Sequence, residues 1–368
     1  MGFNTGIIGL PNAGKSTIFN ALTGAAAQTA GYPFTTIDPN SGIVTVPDER
    51  LNQIAEITKP KKITPTSMEF VDVAGLVKGA SKGEGLGNQF LGHIRNLNAV
   101  IHVVRCFVDE NVAHPEGDID PGRDIGIIET ELILADLAVV ERRIEKVKKT
   151  AQSGDKEAKE SLVVYESVKD ILDSGRPTID FLSKCEGGTD FTAAFTEMNL
   201  ITAKPMLFVA NIDENSLPDG NDHSRRVQEI AADGETTAVV ISGKFEEEIL
   251  SLDPDERDEY LKESGLAETG LSRIIKEGYR LLDLITFYTA VGPELRAWSI
   301  PRGTKASVAA GKIHTDMERG FIRAEVITFT DLEAIGSEEG VKEEGKIRTE
   351  GRDYIVEDGD IIRIKFNV

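Results

Sequence analysis

The octapeptide GLPNAGKS, residues 9–16, decides the fold of this chain. It fits the pattern G-x-x-x-x-G-K-[ST], with a strand-like segment (NTGIIGL) before it and a helix-like segment (GKSTIFNALTG) running on from it. Gly9 and Gly14 allow the backbone to curl so that successive N–H groups point at phosphate oxygens. The first turn of the following helix directs its dipole at the same target. The stretch therefore predicts a phosphate-binding loop in a nucleotide-binding domain.

The side chains of this loop are predicted to bind phosphate and a magnesium ion. Lys15 can reach the β- and γ-phosphates, which also makes it a catalytic candidate, and the Ser16 hydroxyl can coordinate Mg²⁺. Asn12, Ala13 and Thr17 are predicted to complete the phosphate contacts.

Two segments downstream carry the remaining magnesium candidates. YPFTT contains Thr35 and Thr36, either of which could complete the ligand shell of the ion, and we favour Thr36. DVAG ends an apolar strand, where Asp72 is predicted to hold Mg²⁺ through water. The N–H group of Gly75 would then meet the γ-phosphate, so Gly75 joins the catalytic candidates.

A glycine-rich stretch, GLVKGASKGEGLG, occupies residues 75–87. Such a loop has little stiffness of its own. Its position is typical of a segment that orders around the γ-phosphate and loosens after hydrolysis. A passive flexible turn is the alternative interpretation.

The segment FVANIDEN, residues 208–215, almost spells the guanine-reading motif N-K-x-D. In that motif the aspartate accepts hydrogen bonds from guanine N1–H and the exocyclic amine, whereas adenine N1 is itself an acceptor. Here Ile212 replaces the lysine and Glu214 replaces the aspartate. We interpret Asn211, the Ile212 backbone and Glu214 as base-reading groups that bind ATP at least as tightly as GTP.

Short apolar runs separated by helical stretches predict a mostly parallel sheet with helices on both faces, the α/β fold of a P-loop NTPase. We assign this domain to residues 1–282. Apolar residues at heptad spacing predict an inserted, coiled-coil-like helical hairpin at residues 127–200, with ordinary sheet-covering helices as the alternative. In residues 283–368, β-branched runs and an Asp358-Gly359 turn predict a small α+β domain.

The composition of the 368-residue chain indicates a soluble globular protein with a net charge of −21. That charge opposes sequence-independent binding of nucleic acid over the whole surface, although local basic patches remain compatible with it. No apolar run reaches eighteen residues and no basic signal segment opens the chain. With two cysteines, Cys106 and Cys185, the sequence predicts a cytoplasmic protein with no membrane partner and no disulfide.

The segments GLPNAGKST, YPFTT, DVAGLVKGASKGEGLGNQFL and NIDE together resemble the YchF subgroup of the Obg-type P-loop NTPases, and the resemblance covers nearly the whole chain. It implies a Mg²⁺-dependent enzyme that associates with ribosomes, through the large subunit or the 70S particle, and that accepts ATP, often in preference to GTP. It also implies a C-terminal TGS domain with a β-grasp fold. Ser242 and Gly243, in the segment SGK, lie where the family has its last base-contacting loop, although the commoner spelling there is S-A-K.

Hydrolysis requires an oriented water, which Ras-like enzymes position with a glutamine directly after D-x-x-G. Leu76 occupies that position and has no hydrogen-bonding group, so we expect slow intrinsic turnover. His114, in the segment FVDENVAHPEG, is a catalytic candidate that could orient the water from a mobile loop, and a solvated loop histidine is the alternative. His102 lies in an apolar strand, where we expect a structural hydrogen bond.

Two other functions remain open on the sequence alone. One is an ordinary Obg-type GTPase, and the other is a nucleotide-gated regulatory binding protein in which hydrolysis is incidental. A ribosome contact would use positive charge, and the local basic clusters are KPKK (59–62), RRIEKVKK (142–149) and PRGTK (301–305). For each cluster a solvated face is the alternative interpretation.

Overall fold

The computed structural model describes residues 3–29, 40–73, 86–179, 181, 189–291 and 293–367. The chain divides into two compact units. The N-terminal unit is formed by residues 3–42 and 69–278, and the C-terminal unit by residues 43–68 and 279–368. Among the described residues, no helix has the length and apolar character that crossing a membrane requires.

Within the described residues, twelve strands form two six-stranded sheets. The first sheet has the order β2-β4-β1-β5-β6-β7, and the second has the order β11-β10-β12-β8-β9-β3. The strands are β1 (Phe3–Ile8), β2 (Ser41–Thr45), β3 (Lys62–Thr64), β4 (Ser67–Asp72), β5 (Ala99–Arg105), β6 (Met206–Asn211), β7 (Ala238–Ile241), β8 (Leu284–Val291), β9 (Glu294–Pro301), β10 (Phe321–Thr328), β11 (Arg348–Glu350) and β12 (Asp360–Phe366).

Helices separate most of these strands along the chain. The first of them begins at Lys15, directly within the predicted phosphate-binding loop. The described helices are α1 (Lys15–Thr29), α2 (Glu49–Thr58), α3 (Leu86–Arg95), α4 (Pro121–Gln152), α5 (Lys156–Asp173), α6 (Thr189–Met198), α7 (Asp222–Asp233), α8 (Gly243–Ser251), α9 (Pro254–Glu263), α10 (Gly270–Leu281), α11 (Ala306–Ile313), α12 (Thr315–Arg319), α13 (Phe329–Ile335) and α14 (Glu338–Glu343).

Strand β5 lies inside the first sheet and accounts for its parallel character. It pairs in parallel with β1 on one side and with β6 on the other, and β6 pairs in parallel with β7. All seven side chains of β5 are buried, which is the pattern of a strand covered on both faces. The predicted mostly parallel sheet is confirmed.

Helices α4 and α5 form the predicted helical hairpin, and α6 adds a third helix that the sequence pattern did not indicate. Val140 of α4 and Val168 of α5 share a core cluster with Phe195 of α6. Asp155 explains the polar break between α4 and α5, because its carboxylate accepts a hydrogen bond from Ala158 N–H at 2.8 Å and caps α5.

The C-terminal unit has the mixed sheet of a β-grasp fold. Strands β8 and β9 are antiparallel, β8 is parallel to β12, and β12 is antiparallel to β10. Helix α11 packs on this sheet through small residues, with Ala306 and Ala310 in one cluster with Phe287 and Ile362. The predicted C-terminal α+β domain is confirmed.

Residues 43–68 belong to the C-terminal unit, whereas the sequence places them in the predicted domain 1–282. Strand β3 pairs in parallel with β9, at the edge of the second sheet. Leu51 and Ile54 of α2 lie in one buried cluster with Tyr288 of β8. These contacts join residues far apart in the sequence, so no local pattern predicts them.

Polar contacts also fix α2 within the C-terminal unit. Asp48 caps the helix, since its carboxylate accepts from Arg50 N–H at 3.1 Å, and it also accepts a hydrogen bond from the Tyr288 hydroxyl. Arg50 Nη1 lies 2.9 Å from Asp358 Oδ2. The carboxylates on either side of Arg50 raise the pKa of this guanidinium against the effect of burial.

Candidate functional site

The loop between β1 and α1 has the conformation that phosphate binding needs. Gly9 and Gly14 have positive φ angles of 148° and 92°, and Asn12 has a φ of 64°. A Cβ atom at Gly9 would lie 2.3 Å from the Val103 carbonyl oxygen, and one at Gly14 would lie 2.2 Å from Asn211 Nδ2. Both positions therefore require glycine, which leaves the loop backbone close to β5 and β6.

Lys15 is buried at the start of α1, with 8% of its surface exposed. Its Nζ donates a hydrogen bond to the Leu10 carbonyl oxygen at 2.8 Å, so the ammonium group folds back over the loop. Burial lowers the pKa of Lys15, and the nearby Asp72 carboxylate opposes that shift. An ammonium group has three N–H donors, which leaves donors for phosphate oxygens.

Ser16 and Asp72 come together at the predicted magnesium site. Ser16 Oγ donates a hydrogen bond to Asp72 Oδ2 at 3.3 Å. The other carboxylate oxygen, Asp72 Oδ1, is buried and has no hydrogen-bond partner among the described residues. A buried, unpartnered carboxylate oxygen beside a hydroxyl fits a hard cation that prefers oxygen ligands. These two side chains are the ones that would hold Mg²⁺.

The rest of a magnesium shell would come from the substrate and from water. In the part of the chain that the structure describes, no group of three or more His, Cys, Asp or Glu side chains is arranged to hold a metal. Magnesium in nucleotide sites uses one or two side chains together with water and phosphate oxygens, so the pair of Ser16 and Asp72 is sufficient. Thr36, Gly75 and Leu76 lie outside the described residues, and their roles stay predictions.

Asn211 joins three parts of the site. It ends β6 and is 4% exposed. Its Nδ2 donates to the Ala13 carbonyl oxygen in the phosphate-binding loop at 3.0 Å, and its Oδ1 accepts from Gly243 N–H at 2.9 Å. Both polar atoms of the amide therefore have partners in the protein, a bridging role that the sequence pattern did not indicate.

Glu214 presents an unpartnered oxygen close to the end of β6. Its Oε2 lies 3.1 Å from Lys244 Nζ, while its Oε1 is buried without a hydrogen-bond partner in the described residues. Ile212 is 2% exposed and packs in a core cluster with Val104, so its side chain is unavailable to a base. Its N–H group donates to the Ile241 carbonyl oxygen at 2.8 Å.

The segment that begins at Ser242 is held against the phosphate-binding loop. Ser242 is buried and caps α8, because its Oγ accepts from Phe245 N–H at 3.4 Å. A Cβ atom at Gly243 would lie 3.2 Å from Cγ2 of Thr17. Close packing thus brings Thr17 and Gly243 together, while the base and phosphate contacts predicted for Ser242, Gly243 and Thr17 stay predictions.

Arg105 is a buried residue that the sequence analysis missed. It ends β5, is 4% exposed, and donates to the carbonyl oxygens of Val112 at 2.8 Å and Ala113 at 3.4 Å. Asn12 of the phosphate-binding loop donates to the same Ala113 oxygen at 3.0 Å. The loop after β5 therefore supports the phosphate-binding loop. An arginine ending an otherwise apolar strand was the available signal.

His114 occupies a different environment from the mobile loop that the sequence predicts. Its side chain is 3% exposed, so it is not a solvated loop histidine. Nε2 lies 2.9 Å from Asp124 Oδ2, and Nδ1 accepts from Glu116 N–H at 3.1 Å. Asp124 also pairs with Arg123 at 3.1 Å. With both ring nitrogens engaged, the imidazole anchors its loop to α4 and has no free nitrogen for a water.

His102 is buried in β5, and at its Nδ1 the described residues do not supply the structural hydrogen bond that we expected. Its Nδ1 has no partner among the described residues, and its ring packs at 41° to Phe208 with the centroids 5.5 Å apart. Burial, with a smaller contribution from Lys15, lowers the pKa of His102 to about 3. The imidazole is therefore neutral at physiological pH.

Comparison with family models and curated proteins finds matches over the whole chain. A model described as a 50S ribosome-binding GTPase matches residues 4–167, and the model YchF-GTPase_C, described as a protein of unknown function, matches residues 284–367. The Ribosome-binding ATPase YchF of Escherichia coli O157:H7 is 50% identical over 368 residues, and that of Bacillus subtilis is 47% identical over 372 residues. Both alignments cover all of this chain and all of the relative.

A solved structure has the same overall fold. The Schizosaccharomyces pombe YchF GTPase superposes with a TM-score of 0.88 at 36% sequence identity. The superposition covers 99% of this chain and 97% of that protein. The order of parts described above, from the phosphate-binding loop to the β-grasp sheet, is therefore shared with that structure.

Proposed function

The chain belongs to the YchF family, and we propose that it is a Mg²⁺-dependent ATPase that binds the ribosome and binds ATP at least as tightly as GTP. Relatives that match its full length at 47–50% identity carry the name Ribosome-binding ATPase. The observation that carries the hydrolase assignment is the contact of Ser16 with Asp72, which leaves one buried carboxylate oxygen open to a cation.

The residues of this chain would hold the triphosphate and compensate its charge. The backbone N–H groups of the loop between Gly9 and Gly14 would bind phosphate oxygens, and Lys15 would contact the β- and γ-phosphates. Mg²⁺, when bound, neutralises charge that develops on the β- and γ-oxygens during transfer. Ser16 and Asp72 would hold it beside the phosphate-binding loop, and Thr36 is proposed as a further ligand.

Intrinsic hydrolysis is expected to be slow because no residue of the described site is free to orient the attacking water. Leu76 lacks a hydrogen-bonding group, and both nitrogens of His114 have partners. We propose that His114 positions the loop after β5 rather than acting on the water, and that the Gly75 N–H meets the γ-phosphate. The ribosome or a monovalent cation would supply the missing stabilisation.

Base selection is proposed to depend on the single open oxygen of Glu214. Guanine presents two adjacent donors, N1–H and the exocyclic amine, which need two acceptor oxygens, whereas adenine presents one amino group. Lys244 competes for Oε2 of Glu214, while Oε1 has no hydrogen-bond partner in the described residues. The two guanine donors would have to share the carboxylate with Lys244, whereas the adenine amino group needs only one acceptor oxygen, so the pairing favours ATP over GTP.

The ribosome is the proposed macromolecular partner, through the large subunit or the 70S particle, and the cytoplasm is the proposed location. The names of the relatives and of the model that matches residues 4–167 support this partner. A nucleotide-gated regulatory protein remains the second candidate, because Leu76 and the engaged His114 leave hydrolysis without an evident water-orienting group. It predicts nucleotide-dependent ribosome binding in a variant that does not hydrolyse ATP.

Steady-state ATP hydrolysis by the full chain, with and without 70S ribosomes, tests the proposed function. We expect slow Mg²⁺-dependent turnover that ribosomes accelerate, and a loss of roughly tenfold or more in Asp72→Asn, because the cation loses its carboxylate ligand. Lys15→Ala should lose activity as well, which assigns the activity to this site. Absence of Mg²⁺-dependent hydrolysis under both conditions would overturn the proposal.

A further inference from the structure

Three basic residues on α4 form an exposed row that the nucleotide site does not use. Arg142, Lys146 and Lys149 are separated by four and three positions, so they lie on one face of the helix. All three are exposed. We call them the α4 stripe. A surface depression along this face is lined by Arg142, Glu145, Lys146, Lys148, Lys149 and Gln152.

The fold neutralises the cluster PRGTK and one lysine of the cluster KPKK. In KPKK, Lys62 lies 3.0 Å from Glu294. In PRGTK, Arg302 lies 2.9 Å from Asp283, and Lys305 lies 2.7 Å from Asp353. Both cations of PRGTK therefore share their charge with carboxylates of the same unit, whereas Lys59 and Lys61 of KPKK make no ion pair within the described residues.

The α4 stripe keeps its charge. Within the described residues, none of its members makes an ion pair, and their one side-chain hydrogen bond joins Arg142 Nε to the Ala138 carbonyl oxygen. Neighbouring charges point elsewhere: Arg143 pairs with Glu197, and Lys169 pairs with Glu141. Glu145 is the acidic residue on the stripe's own face.

Helix stability explains only one member of the stripe. Lys149 lies in the last turn of α4, where a cation interacts favourably with the helix dipole. Arg142 and Lys146 lie before that turn, so the dipole does not account for them. Three cations without an ion pair, with Glu145 beside them, are therefore a local exception to the negative surface charge of a chain whose net charge is −21.

We propose that the α4 stripe binds backbone phosphates of ribosomal RNA. This inference rests on the proposed ribosome binding and names the surface that would carry it. With a helical rise of 1.5 Å per residue the stripe is about 10 Å long, enough for about three phosphates at the axial spacing of a duplex strand. The acidic remainder of the surface would repel RNA and restrict the contact to this face.

The test compares ribosome binding by the full chain and by R142Q/K146Q/K149Q over a range of salt concentrations. Each lost phosphate contact lowers the slope of log affinity against log salt by nearly one, so we expect the slope to fall by about two to three. At about 0.1 M salt the affinity should drop roughly tenfold or more. Glutamine is a good helix former, and circular dichroism would check that α4 is intact.

Two further variants control for charge and for chemistry. R225Q/R226Q/K262Q removes the same net charge from exposed positions outside the stripe and should leave the salt slope unchanged. R142K/K146R/K149R keeps the three charges and should keep most of the affinity, since phosphate is bound mainly as a charge.

The outcomes separate this inference from the function on which it rests. If the unmodified chain fails to bind ribosomes, the proposed function fails. If the chain binds and R142Q/K146Q/K149Q binds with unchanged affinity and salt slope, the α4 stripe is not the RNA contact. Equal losses in the stripe variant and in R225Q/R226Q/K262Q would also overturn the inference, because net charge alone would then explain them. A stripe variant that loses binding to ribosomes but not to protein-free ribosomal RNA would instead indicate an acidic protein partner.

Discussion

Asn211 is the residue on which three parts of the nucleotide site converge. Its amide group joins the end of β6 to the phosphate-binding loop at Ala13 and to the start of α8 at Gly243. Both partners are backbone groups in a buried region, so each would lose its hydrogen bond if the amide were removed. A residue that the motif suggests for reading the base thus also holds the site together.

We expect Asn211→Ala to lower the free energy of unfolding by about 2–4 kcal/mol, because two buried backbone groups lose their partners. Affinities for ATP and GTP should fall together, since the shared loop is displaced. Asn211→Asp keeps the size but turns an oxygen toward the Ala13 carbonyl, so it should also destabilise the chain. Denaturant unfolding and nucleotide titrations check this; a loss confined to ATP affinity, with unchanged stability, would contradict the bridging role.

Lys244 is expected to influence base choice through its pair with Glu214. In Lys244→Gln the second carboxylate oxygen becomes available, so the ratio of the GTP to the ATP dissociation constant should fall, by up to about fivefold, which is the range of an exposed ion pair. Lys262→Gln, at another exposed lysine, is the matched control. An unchanged ratio in Lys244→Gln would contradict the proposal that the Glu214–Lys244 pair influences the choice between ATP and GTP. Ile212→Lys, which would restore the lysine of N-K-x-D, is an unsuitable test because it would bury a charge.

Strand β5 carries a buried titratable group at its centre. The pKa of His102 is lowered to about 3 by burial and by Lys15, so the folded chain keeps this imidazole neutral where the unfolded chain protonates it, below about pH 6.5. The free energy of unfolding should therefore fall as the pH drops from about 6.5 toward 3. In His102→Leu, the part of this fall that comes from the imidazole should be absent.

Many carboxylates titrate in the same pH range as His102. Comparing the pH dependence of stability in the unmodified chain and in His102→Leu separates the effect of His102 from theirs. Between pH 7 and pH 4 the unmodified chain should lose about 3 kcal/mol more stability than His102→Leu. Urea unfolding at both pH values measures it. Parallel pH profiles for the two proteins would mean that His102 is protonated in the folded state.

Helix α3 is fixed to the helical insertion at its C-terminal end. Arg95 Nη1 lies 2.9 Å from Oδ1 of Asp136, a fully buried carboxylate that also accepts N–H bonds from Ile201 and Thr202. Along the chain, α3 follows the glycine-rich stretch that is predicted to respond to the γ-phosphate. The contact therefore holds the C-terminal end of α3 against α4.

Removal of the Arg95–Asp136 contact should lower the stability of the chain. We expect Arg95→Gln to lower the free energy of unfolding by about 2–3 kcal/mol, less than the full effect of breaking a buried pair because Asp136 keeps its other donors. Lys169→Gln, which removes partly exposed ion pairs with Asp173 of α5 and Glu141 of α4, is the control and should change stability by at most about 1 kcal/mol. Equal, small effects in both variants would show that the Arg95 contact does not stabilise the helices.

For the whole molecule, the sequence predicts well what depends on local patterns. The glycines and Lys15 of the phosphate-binding loop, the mostly parallel sheet and the C-terminal β-grasp domain follow from motif spacing, periodicity and the family resemblance. The contacts that hold the site residues in place cannot be predicted from these patterns. Arg105, the burial of His114 and the bridging amide of Asn211 depend on side chains meeting across loops. No local sequence pattern predicts which of these side chains contact each other.

The position of residues 43–68 is the clearest case at this scale. They lie in the sequence between YPFTT and DVAG, the two segments predicted to bind magnesium and the γ-phosphate, yet they fold into the C-terminal unit. Helix α2 and strand β3 lie within this segment, and their partners in β8 and β9 decide which unit they join.

The dissociation constants of ATP and GTP, measured with Mg²⁺ on one preparation of the full chain, test the central claim most directly. The open oxygen of Glu214 and its pair with Lys244 predict that ATP binds at least as tightly as GTP. Chelation of Mg²⁺ should weaken the binding of both nucleotides, because the ion that Ser16 and Asp72 are proposed to hold would then no longer link them to phosphate. A clear preference for GTP would contradict the claim.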